Sequence, residues 1–285
     1  MIYLVFIGVL GLCIGSFLSV VIHRLLIIMQ WQWQQDAQDF IAQSALSSTT
    51  KDDVKQHFAT PLPVSMSHPR SQCPTCHTPI AWFDNLPVLS FVLLRGRCRA
   101  CYAPIAWRYP ALELITAILS VLVVLRLDLG LQGALGLVFV WLLIALSGID
   151  WRMQILPDRL VLPLGMIGLT ANGLGIFTTP SDAIFGVVAG FGALWLVNVI
   201  YKLLRGHDGM GLGDAKLFAA IGAYLGVWQL PLVLLIAALM GVVVGIIHSV
   251  KHGHAPFAFG PYLAIGAVVA LLFGKSMMTW YVSLF

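Results

Sequence analysis

The sequence predicts an all-α polytopic membrane protein of about eight transmembrane helices, with one large polar loop after the first. Three observations carry this. Of 285 residues, 59% are hydrophobic and 10% charged, where a soluble domain carries about 25% charge. Residues 1–22, 129–149, 160–181, 183–201, 217–250 and 252–274 contain no Asp, Glu, Lys or Arg, and apolar runs of this length read as membrane helices. The few basic residues also fall almost entirely into alternate connecting loops. Together these exclude a soluble globular protein, a disordered chain and a collagen-like chain. An outer-membrane barrel is excluded too, because its strands alternate over about ten residues.

The first segment, 1–28, opens with Met1-Ile2-Tyr3 and meets its first charge at Arg24. A cleaved signal peptide has the opposite polarity, so this segment is read as a retained helix with its N-terminus outside. The second, 109–127, carries Glu113 near its start, with Pro110 in a first-turn position where proline is tolerated. The third to fifth are 131–149, 160–178 and 183–203. The run 217–250 is too long for one crossing of a core about 30 Å thick. Pro231 offers a break, which divides it into 214–229 and 231–249. The eighth segment is 261–284. Three parts are expected: helix 1–28, loop 29–108 and a seven-helix core 109–285.

This topology places loops 29–108, 150–159, 204–213 and 250–260 inside. Arg24, Lys51, Lys55, Arg70, Arg95, Arg97, Arg99, Arg108, Arg152, Arg159, Lys202, Arg205, Lys216 and Lys251 belong to those loops or their flanks. Only Arg126 and Lys275 do not. The positive-inside rule therefore sets the orientation. Contact with anionic lipid is the simplest account of the basic loop.

Residues 30–72 are rich in Gln, Ser, Thr and Asp and read as a solvated insert. Trp31 and Trp33 suit the membrane surface. Within 73–101, Cys73-Pro74-Thr75-Cys76 and Cys98-Arg99-Ala100-Cys101 form two CxxC pairs. Four thiolates at this spacing suit a closed tetrahedral zinc site. Redox dithiols are the alternative, but an inside loop faces reducing conditions. Arg95, Arg97 and Arg99 would offset the charge of a zinc–thiolate centre. His77 is read as solvated rather than as a ligand, and Cys13 as a small packing residue in the first helix. The fold class is then completed by a cytoplasmic zinc-binding loop whose metal is structural.

Acids in or beside membrane helices are functional candidates. Four stand out: Glu113, Asp150, Asp158 and Asp214. Asp150 closes the third apolar run and Asp214 opens the sixth, both at the inside face. Two carboxyls sharing a site do not both ionise readily, which leaves one protonated beside one ionised. Such a pair can activate water and polarise a carbonyl, as in an aspartic protease. Gly211 and Gly213 would let a peptide backbone approach Asp214. Other readings remain open: helix capping for Asp158 and Asp214, or a proton relay in a transporter. The glycines of 209–213 follow an apolar helix rather than a strand, so they are not a dinucleotide fingerprint. The GxxxG spacings Gly11–Gly15 and Gly241–Gly245 are read as close helix packing. His248, His252 and His254 are read as a loop cluster rather than a metal site.

Several segments then resemble the type IV prepilin peptidases, the leader peptidase/N-methyltransferases. Gly15-Ser16-Phe17-Leu18 with Val20-Val21-Ile22-His23-Arg24 resembles that family's first helix, and the tetracysteine loop its cytoplasmic insert. Arg95-Gly96-Arg97-Cys98 and Arg108-Tyr109-Pro110-Ala111-Leu112-Glu113 continue the likeness. Asp150 with Leu156-Pro157-Asp158 resembles the first catalytic motif. Gly209-Met210-Gly211-Leu212-Gly213-Asp214-Ala215-Lys216-Leu217 resembles the second, the GxGD signature. Phe259-Gly260-Pro261-Tyr262-Leu263-Ala264 resembles a motif near the last helix. Ser19 and His207-Asp208 depart from the pattern.

The resemblance implies Asp150 and Asp214 as the catalytic pair of a membrane aspartic endopeptidase, with Gly211, Gly213, Glu113, Asp158 and Lys216 in support. It implies cleavage of leaders from type IV prepilins and type II secretion pseudopilins at the cytoplasmic face of a bacterial inner membrane. It also implies N-methylation of the new N-terminus from S-adenosylmethionine. Its partners would be those substrates and the lipid bilayer, with no nucleic acid. A peptidase without methylation and a proton-coupled transporter are the alternative functions.

Overall fold

The computed structural model describes residues 2–43, 64–207, 209–252 and 258–283. Residues 44–63 of the predicted insert, with Lys51 and Lys55, lie outside the described residues, as do Asp208 and His254. Nine α-helices are formed among the described residues: α1 (Ile2–Gln43), α2 (Leu89–Leu93), α3 (Arg108–Leu127), α4 (Leu131–Met153), α5 (Asp158–Gly173), α6 (Pro180–Arg205), α7 (Leu212–Leu225), α8 (Leu230–His252) and α9 (Gly260–Val282). Short 3-10 turns cover Trp82–Asn85 and Val227–Gln229. No strand is formed among these residues, which matches the all-α expectation.

Among the described residues, six helices (α1, α3, α4, α6, α8 and α9) are long and apolar enough to cross a membrane. The predicted fourth and sixth crossings form as helices, the shorter α5 and α7 of 16 and 14 residues. At 1.5 Å per residue they reach only about 24 and 21 Å, against a core of about 30 Å. α5 starts after Pro157 and stops at Gly173, so the predicted span to 178 includes a turn. The long run after 217 breaks earlier than expected. Gly226 has φ 82°, and a Cβ there would lie 2.8 Å from Thr178 Oγ1. This close approach turns the chain after Leu225, while Pro231 is accommodated in the first turn of α8.

α1 overruns its predicted end at residue 28 by fifteen residues. Residues 29–43 contain no Gly or Pro and several good helix formers, so nothing stops the helix at the membrane edge. Its 42 residues span about 63 Å. Cys13 is exposed on this helix rather than packed as expected.

The chain divides into two compact units, one of Met1–Gly11 with Ile115–Phe285, the other Leu12–Leu114. In the first, α7 packs against α6, α5 and α9. Apolar residues all round a helix call for burial all round, and Ala215 and residues 217–225 are indeed buried. Small residues set the spacing. Gly186 and Gly222 meet backbone to backbone, and a Cβ on Gly190 would lie 2.8 Å from Phe218 O. Gly11 does the same against α3, where a Cβ would lie 2.7 Å from Ala117 Cα, so its expected packing role holds. Asn172 is fully buried and fully used. Its Nδ2 donates to Ala223 O and Tyr224 O, and its Oδ1 accepts from Phe177 and Thr178 N–H. These bonds satisfy the C-terminal carbonyls of α7, which a helix end otherwise leaves unpaired.

In the second unit, Arg24 of α1 is 9% exposed and donates to the carbonyls of Ser65, Met66 and Pro69. A buried guanidinium needs such acceptors. Its role here is to tie the loop segment 65–69 to α1.

Candidate active site and metal centre

Asp150 lies in the last turn of α4, one turn earlier in the helix than expected, since α4 continues to Met153. Gln154 closes the helix at φ 56°, its N–H donating to Asp150 O at 2.7 Å. The Asp150 side chain is buried at 4% exposure, and its Oδ2 accepts a 2.9 Å hydrogen bond from Gly260 N–H. Gly260 is the first residue of α9, so the carboxyl sits at a helix N-terminus, where free N–H groups and the dipole favour an anion.

Asp214 is the third residue of α7, and Gly211 occupies the N-cap position. Asp214 is therefore not the cap of its helix. Its carboxyl is close enough to Asp150 for the two to act on each other electrostatically. Leu156 links the two sides. A Cβ on Gly213 would lie 3.2 Å from Leu156 Cβ, and one on Gly260 would lie 3.3 Å from Leu156 Cδ2. One buried leucine thus packs against the glycine next to Asp214 and the glycine bonded to Asp150. Gly211 is exposed, and a Cβ there would meet only Gly213 N at 3.9 Å.

Asp158 heads α5 but caps nothing through its side chain, since Pro157 is the N-cap residue. Both of its carboxylate oxygens instead accept from Lys216 Nζ, at 2.8 and 2.9 Å. The pair joins α5 to α7 beside Asp214. Glu113 belongs to the other unit. It is 8% exposed, and its Oε2 accepts from Val88 N–H at 2.8 Å. Val88 has φ 58°, a strained value for a β-branched residue, so Glu113 holds a tight turn in the loop.

The four cysteines converge. The sulfurs of Cys73, Cys76, Cys98 and Cys101 all lie within 4.8 Å of one another, with Cys73 and Cys101 3.7 Å apart. A tetrahedral zinc with Zn–S bonds of about 2.3 Å sets sulfurs about 3.8 Å apart, so the cluster has the right size. His77 is outside this group. Each pair sits in the same knuckle. His77 and Tyr102 both have φ 57°, and their N–H groups donate to Cys73 O and Cys98 O. Cys73 N–H donates to Thr78 O and Cys98 N–H to Ala103 O. Isolated bridges join Gln72 to Pro79 and Arg97 to Pro104.

The knuckles are a sequence repeat that spacing alone did not single out. Cys73-Pro74-Thr75-Cys76-His77-Thr78-Pro79-Ile80-Ala81-Trp82 recurs as Cys98-Arg99-Ala100-Cys101-Tyr102-Ala103-Pro104-Ile105-Ala106-Trp107. Backbone N–H groups of Cys76 and Thr75 hold the Cys73 thiol down to about 6. Cys101 accepts from the Ala103 backbone, yet burial and the neighbouring sulfurs push it up to about 12. Without a cation, four thiolates do not coexist at neutral pH, and a divalent metal is what removes that conflict. Arg99, expected to offset thiolate charge, is instead engaged by Asp84, with Nη2–Oδ1 at 2.6 Å.

The fold and site therefore define a polytopic helical membrane protein. It pairs two interacting carboxyls at helix termini and carries a loop with a four-cysteine, zinc-sized cluster. Comparison with known families matches residues 9–127 to the bacterial peptidase A24 N-terminal domain and residues 137–246 to the type IV leader peptidase family. A protein of Aeromonas hydrophila named prepilin leader peptidase/N-methyltransferase is 44% identical over 278 residues, covering 96% of this chain and 92% of its own length. Proteins of the same name are 42% identical in Aeromonas salmonicida, over 96% of this chain and 91% of theirs, and 41% identical in Pseudomonas aeruginosa, over 95% and 91%. The chain belongs to the type IV leader peptidase family. No solved structure matches it.

Leu156 and Gly260 lie in segments that the resemblance covers but carried no assigned role, and Asn198 was not among the sequence candidates. Gly260 acts through a backbone N–H and Leu156 through shape, neither of which has a residue-type signature. Asn198 was hidden as the single amide in an apolar run.

Proposed function

We propose that this chain is a bifunctional enzyme of the bacterial inner membrane. It removes the leader from type IV prepilins and pseudopilins and then methylates the exposed N-terminal amine. What supports the peptidase half is the electrostatic influence of Asp150 on Asp214, acids carried by two different helices, in a family whose members are named for this activity. The two carboxyls share one proton. The ionised member takes a proton from a water, which attacks the scissile carbonyl, and the protonated member donates a hydrogen bond to the carbonyl oxygen. Protonation of the leaving amine completes cleavage, with no covalent intermediate. Gly260 N–H orients Asp150 throughout, and Gly211 leaves room for an extended peptide backbone.

The excess of basic residues in alternate loops supports a cytoplasmic active site. Cys73, Cys76, Cys98 and Cys101 would hold a structural zinc, which cross-links the two knuckles and leaves no position open for chemistry. S-adenosylmethionine would supply an electrophilic methyl group for the second activity.

The test uses purified full-length protein in nanodiscs with a prepilin substrate. Cleavage is read by gel shift, and the new N-terminus by mass spectrometry. Cleavage and a mass gain of one methyl group are expected. Cleavage without the methyl removes the second activity, and no cleavage removes both.

A further inference from the structure

The loop that delivers Asp214 is hydrogen-bonded to the side chain of a residue on a neighbouring helix. Asn198, half-buried on α6, accepts two successive backbone N–H groups on its Oδ1: Gly209 at 3.0 Å and Met210 at 3.1 Å. An amide oxygen has two lone pairs, and both are directed at this loop. Three residues along the same helix, Tyr201 packs over Gly209 so closely that a Cβ there would lie 2.5 Å from its ring. The His207 ring stands edge-on to Tyr201, with centroids 5.5 Å apart. Residues three apart share a helix face, so Asn198 and Tyr201 form one docking strip for His207, Gly209 and Met210. Gly206, at φ 78°, turns the chain back onto that strip after α6 ends.

Beyond Met210 a single residue, Gly211, precedes the start of α7 at Leu212. Gly211 is exposed and lacks a side chain, and Asp214 N–H reaches its carbonyl at 3.3 Å. The loop's approach to α7 is therefore set at its start, by the bonds from Asn198. We propose that Asn198 is a positioning residue, whose paired acceptance of the Gly209 and Met210 N–H groups fixes the loop from which the Asp214 carboxyl enters the site. It acts by holding the backbone ahead of Asp214, and this inference rests on the peptidase reading above.

Asn198→Asp keeps an oxygen acceptor at the same place, Asn198→Gln moves it by one methylene, and Asn198→Ala removes it. In nanodiscs, Ala and Gln should lower kcat for prepilin cleavage by about tenfold with KM changed less than about twofold, since misplacement weakens the transition state more than binding. Asp should recover most of the loss. Backbone hydrogen exchange should quicken at Gly209 and Met210 in Ala and Gln and stay slow in Asp. Wild-type kcat in a folded Gln variant overturns the proposal, as does equal loss in Asp and Gln or unchanged exchange at both amides. If the wild-type protein cleaves no prepilin, the peptidase reading fails instead, and the exchange measurement still decides the clamp.

Discussion

Asp150 Oδ2 accepts the N–H of Gly260 at 2.9 Å, and that glycine has no room for a side chain. A Cβ at position 260 would lie 2.7 Å from the same oxygen and 3.3 Å from Leu156 Cδ2. The first residue of α9 thus approaches the carboxyl as closely as a backbone can. Its φ lies outside the left-handed region, so the demand for glycine is steric.

Gly260→Ala should therefore push the Asp150 carboxyl off its N–H or shift the start of α9. A displacement near 1 Å at a reacting group costs up to about a hundredfold in rate. The expected result is a kcat loss of that order, with a stability cost of about 1–3 kcal/mol from overpacking. Steady-state cleavage and thermal unfolding separate the two. Near-wild-type kcat would show that the bond does not orient Asp150 for catalysis.

Asp150→Asn and Asp214→Asn remove one carboxyl each and keep the shape. If the pair shares a proton and acts as a unit, each single change should lower kcat by more than about a thousandfold, and the double change should cost no more than the worse single. Additive losses would mean that the two act independently. Cleavage at the wild-type rate by either variant would take that residue out of the mechanism.

Chemistry-bearing residue types were the legible part of this site. Asp150, Asp214 and the four cysteines are rare, charged or metal-binding residues in an apolar chain, and their positions marked them as candidates, with the pairing of the two acids implied by the family resemblance. The parts that were not legible act through backbone or shape. Gly260 contributes an N–H that any residue carries, Leu156 contributes volume, and the two bonds from Asn198 depend on how far α6 and α7 stand apart. For the fold, the apolar runs located the helices, but where each stops depends on details outside hydropathy. α1 runs on to Gln43 for lack of a breaker, while α7 stops at Leu225 because Gly226 must pass Thr178.

Metal content tests the two knuckles. Purified protein should carry one zinc per chain, and Cys76→Ser or Cys101→Ser should lower that content sharply. Chelation should expose the segment 64–107 to limited proteolysis, because metal binding and local folding are coupled. Prepilin cleavage should fall less than in the aspartate variants, since the cluster lies in a different compact unit from Asp150 and Asp214. Full zinc content in the Cys101→Ser chain would remove Cys101 from the ligand set.

The ion pair of Lys216 with Asp158 lies two residues from Asp214, yet it should contribute little. Their side chains are 40% and 51% exposed, so water and salt screen the 2.8 Å contact. Exposed pairs of this kind couple by about 0.2–1 kcal/mol in double-mutant cycles. Lys216→Met, Asp158→Asn and the double variant should give a coupling in that range, shrinking as salt is raised. Loss of either partner should change kcat less than threefold or so, as expected for a strut between α5 and α7 rather than a member of the reacting group. If Lys216→Met instead costs a hundredfold in kcat and Asp158→Asn does not, Lys216 acts on the Asp214 carboxyl directly, and the pair is part of the chemistry.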